Sequence, residues 1–546
     1  MSKTADKTLR EMITVRESVE SIWVAIVLAF VLRAFVIEAF VIPTGSMGPT
    51  LLGEHWQLTC DACGREFAYG YLHTGNEPQG RRPMVAVPPS EAVCPNCGYN
   101  SFNPSERRSG DRVLVMKYLY PFLEPEPWDV VVFRNPQDNR ENYIKRLIGL
   151  PGETIELIGG DVFVKAGDEG WQIRRKPPKA QREMWRIVFD NDYQPDMDLL
   201  AQVRPHYTPP RWNTRSEAWS LDGDFGRQFA FSGSEQPQVV SFEAERSVFL
   251  PDYGYNRPVS ENRDVSSELD ICTDLQLSMV VQRLAKGHVT LAMEMTSFDN
   301  AFRAEIASDG SCRILHRKLD QQQWDVLAES RCKGLRSGEM SQLAMTHVDF
   351  SVNLYLDGER VVSVADNYPA GHADALQRLE KIGMPGSPDE VPAPQVQISA
   401  SGGPCSLRHI RLQKDVYYTQ PRLGEPMSGE LFDYARNVLG LDAPRFGWGT
   451  RGNPIHLRDR DNDQLDEFFV LGDNSPQSFD SRQWLAAAPG LVLYDDEGQP
   501  VYQLGTVPRY TLIGKAFFVY WPAAFHPPGM PYLPVIPNVG KMRQIN

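Results

Sequence analysis

The chain has 546 residues, more than one ordinary hydrophobic core accommodates, so two or three domains are expected. Its 42% hydrophobic and 23% charged residues are a globular composition with no general signal of disorder. A formal net charge of −14 argues against a nucleic-acid partner, which calls for a basic footprint.

Residues 1–21 read as a tail carrying Lys3, Lys7, Arg10 and Arg16. Ile22 to Leu32 is then an uninterrupted apolar run that ends at Arg33. Crossing a bilayer takes roughly 20 residues at about 1.5 Å each, so this run alone is too short. A helix continued through Phe35, Val36 and Ile37, with Arg33 snorkelling to the headgroups, gives a single transmembrane helix over 22–40. A signal-peptide core is the competing reading, but no Ala-x-Ala site follows between Phe30 and Gly48. No Lys or Arg lies between Ala34 and Gly64. The positive-inside rule therefore puts the N-terminus in the cytoplasm, the bilayer around 22–40 and the rest outside.

Directly after the span comes V-I-P-T-G-S-M-G-P-T-L-L, residues 41–52, with Ser46 at its centre. An insertion follows over 57–103, holding Cys60-x-x-Cys63 and Cys94-x-x-Cys97, each pair followed by Gly. Two such knuckles suit a tetrahedral structural zinc, and four thiolates leave no open position for catalysis. Disulfides compete with this reading in an extracytoplasmic setting. The other four cysteines, at 272, 312, 332 and 405, are scattered, and their spacing fixes no pairing.

Further along, S-G-D-R-V-L-V-M-K (109–117) alternates like a half-buried strand, and D-V-V-V-F (129–133) reads as a core strand. Y-I-K-R-L-I-G-L-P-G-E (143–153) reads as a mostly buried strand carrying Lys145, then a turn. A serine hydroxyl needs a base to act as nucleophile. Burial disfavours a charged amine, so a neutral Lys145 could take the Ser46 proton. Taken alone, an exposed edge-strand lysine explains Lys145 as well.

From 185 to 415 the chain carries many short alternating runs separated by turn residues, among them Asp357-Gly358, a hairpin signal. This spacing predicts an inserted β-sandwich. Tyr193 to Pro210 reads as a Pro-rich linker, and Gly371 to Pro394 as a loop. N-L-Y-L-D-G-E-R-V resembles a concanavalin-like or laminin-G jelly roll, which implies a glycan or protein ligand, or a spacer. Finally, F-F-V-L-G-D-N-S-P-Q-S-F-D-S-R-Q-W (468–484) is an apolar strand running into a turn rich in hydrogen-bonding side chains, and L-I-G-K-A-F-F-V-Y-W-P (512–522) reads as a last strand.

Together, and in this order, these segments resemble the bacterial type I signal peptidases. P-T-G-S-M-G-P-T-L resembles that family's nucleophile box, and the segments holding Gly110-Asp111, Lys145 and Gly472 to Arg482 resemble its later boxes. The resemblance implies that Ser46 is the acylating nucleophile and Lys145 the general base. By the same likeness Ser478 orients the lysine and Thr44 helps bind the oxyanion. Met47, Gly472, Asp473, Asn474, Asp480, Ser481 and Arg482 become supporting residues, with Asp480 and Arg482 expected as an ion pair. One departure is Pro127-Trp128-Asp129, where the family often has R-G-D.

The implied protein is mainly β: a transmembrane helix, a signal-peptidase β-fold core and an inserted jelly-roll sandwich. Its divisions are 1–21, 22–40, 41–184 with the 57–103 insertion, 185–415 and 416–546. It cleaves signal peptides of secretory preproteins at the inner membrane, with no catalytic cofactor and a structural zinc. The rival from another class is a membrane-anchored glycan- or protein-binding protein on an inactive peptidase core. A Ser–Lys protease with a narrow set of substrates is a third. Intact Ser46, Lys145 and Ser478 favour the enzyme.

Overall fold

The computed structural model describes residues 18–28, 30–31, 36–70, 92–100, 102, 107–120, 122–251, 255, 271–369, 371–382, 391–420, 447–459, 463–488, 491, 501–523 and 538–545. Its centre is an eight-stranded antiparallel sheet. The spatial order is Ile37–Val41, Arg112–Met116, Leu512–Trp521, Val130–Arg134, Asn142–Gly149, Glu467–Leu471 and Val507–Pro508, with Arg543–Gln544 paired onto Leu512–Trp521. Valines and phenylalanines dominate these strands because β-branched and aromatic side chains pack well on a pleated, half-buried surface. Val131, Phe133, Leu147, Phe468, Val470 and Trp484 form one buried cluster of this core. A four-stranded sheet of Gln172–Ile173, Asp161–Ala166, Glu153–Ile158 and Ile455–His456 stands beside it.

The strand carrying Lys145 is interior, which removes the edge-strand reading. Val131 pairs with Lys145 on one side, and Leu471 with Arg146 on the other. Sheet pairing therefore delivers two distant segments side by side: residues 142–149 and the loop that follows residue 471.

The N-terminal segment departs from expectation. Residues 18–28 and 30–31 are helical, but Ile37–Val41 is a strand paired with Arg112–Met116. The helix therefore does not run on to residue 40, because the sheet takes up the main-chain hydrogen bonds there. Residues 29 and 32–35 of the expected span lie outside the described residues. Among the described residues, no helix is long and apolar enough to cross a membrane. The helical segment nevertheless exposes Ile22, Trp23, Val24, Val27, Leu28 and Phe30.

The expected sandwich is present from Arg186–Asp190 to Cys405–Lys414. One of its two sheets is built around Cys405–Lys414, Leu275–Arg283 and Met340–Val348, and the other around Val396–Gly402, Val289–Ser297 and Asn300–Ala307. Leu277, Met293, Met345, Leu354, Ile398 and Leu407 lie between them, fully buried. Each such side chain contributes roughly 1.5–3 kcal/mol by leaving water. The hairpin at Asp357-Gly358 forms with both residues at positive φ, +51° and +83°, which suits the right-handed twist of the flanking strands.

Two segments read as irregular each contain a helix. Within 193–210, Met197–Val203 is helical, capped by Asp196, whose side chain accepts from the main-chain N–H of Asp198 and Leu199. Its Leu200 packs on the cysteine-bearing insertion beside Tyr69, Cys97 and Tyr99. Within 371–394, His372–Ile382 is helical, and His372 stacks on Trp171 with centroids 4.6 Å apart.

Candidate active site

Ser46 sits in a single 3-10 turn, Gly45–Met47, after the strand Ile37–Val41. Buried Met47 and Leu51 hold the turn to the core. Asp111, almost fully buried, pins both ends of the segment. Its carbonyl accepts from Ile42 N at 2.9 Å, its N–H donates to Leu52 O at 2.8 Å, and its carboxylate accepts from Leu52 N at 3.0 Å. Arg543 and the N–H of Ala523 also reach that carboxylate.

Lys145 is 3% exposed. Its Nζ lies 2.6 Å from Ser46 Oγ, joining residues 99 positions apart. Burial is the main influence on this amine and lowers its pKa from 10.5 to about 8. The Asp480 carboxylate opposes that shift, and the Arg482 guanidinium adds to it. The Tyr143 ring lies 5.3 Å from Nζ. A substantial neutral fraction near neutral pH is what a general base needs.

The loop after Leu471 closes the site. Asn474 N donates to Ser46 O at 3.0 Å, and its Nδ2 donates to Gly45 O at 2.7 Å. A methyl group at Gly472 would collide with both Ser478 Oγ and Ser46 O, so only glycine permits this approach. Asp480 and Arg482 form the expected ion pair, bidentate at 2.8 and 2.7 Å and fully buried. Arg482 also donates to Ser475 Oγ and Thr419 O, while Asp480 accepts from Gly472 N at 3.0 Å. Ser481 Oγ accepts from Val470 N at 3.0 Å.

One expected contact at the site is absent. Ser478 Oγ is buried in this cluster but has no hydrogen-bond partner among the described residues, so its expected bond to Lys145 is not formed. Thr44 is half-buried at the start of the turn, with extended backbone and no capping bond from its hydroxyl. Arg146 escaped sequence reasoning. It makes a bidentate pair with Asp473 at 2.8 Å, and its Nη1 donates to Trp128 O. Burial alone would raise the Asp473 pKa; the Arg146 guanidinium more than offsets it and holds the carboxyl below its usual range. Trp128, in the departure from R-G-D, takes φ +76° and is buried, with Nε1 donating to Arg175 O. Asp111 and Arg146 carried one signal only: each stands inside a motif.

The four paired cysteines also meet. Their sulfurs lie within 4.8 Å of one another, with Cys60–Cys97 at 3.6 Å and Cys63–Cys94 at 3.7 Å. Zn–S bonds of about 2.3 Å place tetrahedral sulfurs roughly 3.7 Å apart, whereas a disulfide needs about 2.05 Å. The donor set fits a metal. The knuckles match each other: Gly64 N donates to Cys60 O and Gly98 N to Cys94 O, with both glycines at positive φ. Of the remaining cysteines, Cys312 and Cys332 lie 3.2 Å apart as free thiols.

Residues 97–201 and 454–521 match the family described as signal peptidase, peptidase S26. These spans hold Lys145 and the 468–484 segment; Ser46 lies before the first. Signal peptidase I of Rickettsia typhi is 30% identical over 151 residues, covering 28% of this chain and 44% of that protein. Signal peptidase I of Leptolyngbya laminosa is 32% identical over 111 residues, covering 19% and 49%. The chain thus spans less than half the length of these curated relatives. In these segments it is similar to the type I signal peptidases, and both the family and the relatives are named as peptidases. Among solved structures, the carbohydrate-binding module CBM66 of Bacillus subtilis covers 37% of this chain at 11% identity and a TM-score of 0.24, and 95% of its own chain. Sheep galectin-11 covers 26% at 11% identity and a TM-score of 0.18, and 91% of its own chain.

Proposed function

We propose that this chain, a signal peptidase relative in the segments that carry Lys145 and Ser478, is a membrane-bound serine endopeptidase. It cleaves N-terminal signal peptides from exported preproteins through a Ser46–Lys145 dyad. The observation that carries this reading is the 2.6 Å separation of Ser46 Oγ from an amine withdrawn from water. Neutral Lys145 accepts the Ser46 proton as Oγ bonds to the scissile carbonyl carbon. The resulting ammonium then protonates the leaving amine as the C–N bond breaks. Lys145 next deprotonates a water that attacks the acyl-enzyme, and the proton returns to Ser46 Oγ. The Ser46 N–H and the Thr44 hydroxyl donate to the oxyanion, where such a donor is worth about 2.7–4 kcal/mol. Ser478 orients Lys145: a buried hydroxyl without a partner is costly, and the ammonium formed on proton transfer supplies one.

The exposed apolar side chains of residues 22–30 suit contact with lipid, which would hold the site near the bilayer, outside the cytoplasm. The cysteine cluster would hold a structural zinc, and the sandwich would serve as a spacer or a ligand-binding module. The deciding assay is preprotein cleavage in detergent. Ser46→Ala and Lys145→Ala should each lower it on the order of 10⁴-fold or more; turnover within tenfold of wild type in either variant overturns the proposal. Elemental analysis should find about one zinc per chain, and Cys60→Ser should lose it. Oxidised thiols without zinc would remove the metal.

A further inference from the structure

The nucleophile turn is packed by a residue far away in sequence. Tyr255 is 3% exposed, although it belongs to the 185–415 insertion. Its ring fills the space that side chains would occupy on three glycines. A methyl group at Gly45 would come within 2.6 Å of Tyr255 Cε1, and one at Gly48 within 2.8 Å of the same atom. One at Gly70 would collide with that ring edge as well. Gly45 and Gly48 bracket Ser46 and Met47, while Gly70 ends the strand Glu66–Gly70 of the cysteine-bearing insertion. The N–H of Gly70 donates to the Tyr255 carbonyl at 2.8 Å. Two chain segments thus converge on one aromatic ring carried by a third.

These glycines serve space rather than backbone freedom. None of the three is among the glycines at positive φ, and Gly48 sits at φ −69°. At position 48 the ring stands where a side chain would lie. The turn closes through Gly48 N to Gly45 O at 2.9 Å, and Asn474 holds its Ser46 and Gly45 carbonyls from one side. The ring of Tyr255 packs against Gly45 and Gly48, and such support matters because a displacement of about 1 Å in a reacting group costs on the order of 10²-fold in rate.

We propose that Tyr255 is a positioning residue for the reaction. It acts through Gly45 and Gly48 to keep Ser46 in reach of Lys145, and it couples both insertions to the nucleophile. This rests on the reading of Ser46 as nucleophile. The test is steady-state cleavage of a preprotein by the full chain in detergent, with zinc content and thermal unfolding measured on each variant. Tyr255→Ala should lower kcat roughly 10²-fold with KM changed less than about threefold, since the substrate site stays while the nucleophile loosens. Tyr255→Phe keeps the ring edge and should restore kcat to within about twofold of wild type. Unchanged kcat in Tyr255→Ala overturns the inference, and so does equal impairment of the Phe variant. If Tyr255→Ala does not fold, Gly48→Ala decides: its methyl must push the ring, so kcat should fall, and an unchanged kcat overturns the inference. A wild-type chain without Ser46-dependent cleavage would instead remove the underlying reading.

Discussion

The sheet around Lys145 and the inserted sandwich are both antiparallel β-structures, yet they bury different chemistry. The main buried cluster of the sandwich is dominated by Leu, Val, Met, Ile and Phe, with His316, His347, Asn353 and Lys414 among its few buried polar side chains. The sheet around Ser46 buries Lys145, Arg146, Asp473, Asp480 and Arg482 within one neighbourhood. A buried charge is costly unless it is paired, and these residues pair in two bidentate clamps while Lys145 lowers its own pKa. What differs is what the burial serves. The sandwich converts area into stability; the other sheet places polar groups at fixed positions. Charge reappears in the sandwich where it meets the small sheet, with Lys176 held by Asp349 and Asp415.

That contrast can be broken at several points. The largest effect belongs to Ser46→Ala and Lys145→Ala, each expected to lower kcat on the order of 10⁴-fold or more while leaving thermal unfolding close to wild type. Residual turnover within tenfold of wild type would make the buried amine a structural feature. Next is Arg482→Ala, which strands Asp480 in the interior and should destabilise the chain by about 3–5 kcal/mol in denaturant unfolding; a loss below about 1 kcal/mol would mean that the pair is not needed to hold the loop. Thr44→Val keeps the branch and removes the hydroxyl, so kcat should fall about 10²–10³-fold with little change in KM; an unaffected rate would strip Thr44 of its oxyanion role.

The pH profile gives a finer measure. The base must be neutral, and the neutral fraction grows as pH rises toward about 8. Below that pH, kcat/KM should therefore climb about tenfold per unit and then level off. A limb near 10.5 would describe a solvated lysine. The smallest effect belongs to the sandwich. Gly358→Ala forces an ordinary residue to φ +83° and should cost roughly 1–2 kcal/mol of stability with cleavage unchanged. A matching loss of cleavage would erase the division of labour.

Legibility in the sequence followed the same division. Alternating strands announced the sandwich, including its Asp357-Gly358 turn, but its pattern carried no ligand. The site was readable because Ser46, Lys145 and the 472–482 loop stand in ordered motifs. Arg146 and Asp111 stand in those motifs too, but their buried partners were not readable, since a charged residue in an alternating strand looks solvated until its neighbours are known. The apolar run from Ile22 was overextended because a helix end and a core strand such as Ile37–Val41 give the same hydropathy. The helix at Met197–Val203 was overlooked beneath flanking prolines, although Asp196 was a usable cap signal. Tyr255 had no signal at all: its role comes from three glycines that are remote from it in the chain.

The hydrogen bond from Asn474 to Gly45 spans 429 positions, so the turn that holds Ser46 is completed by a segment synthesised long after it. Contacts of such separation form late, because the loop they close is long. A ribosome-bound chain would thus present its serine first and the parts that steady it last. The geometry that the proposed dyad needs would then arrive only after the intervening sandwich has been made.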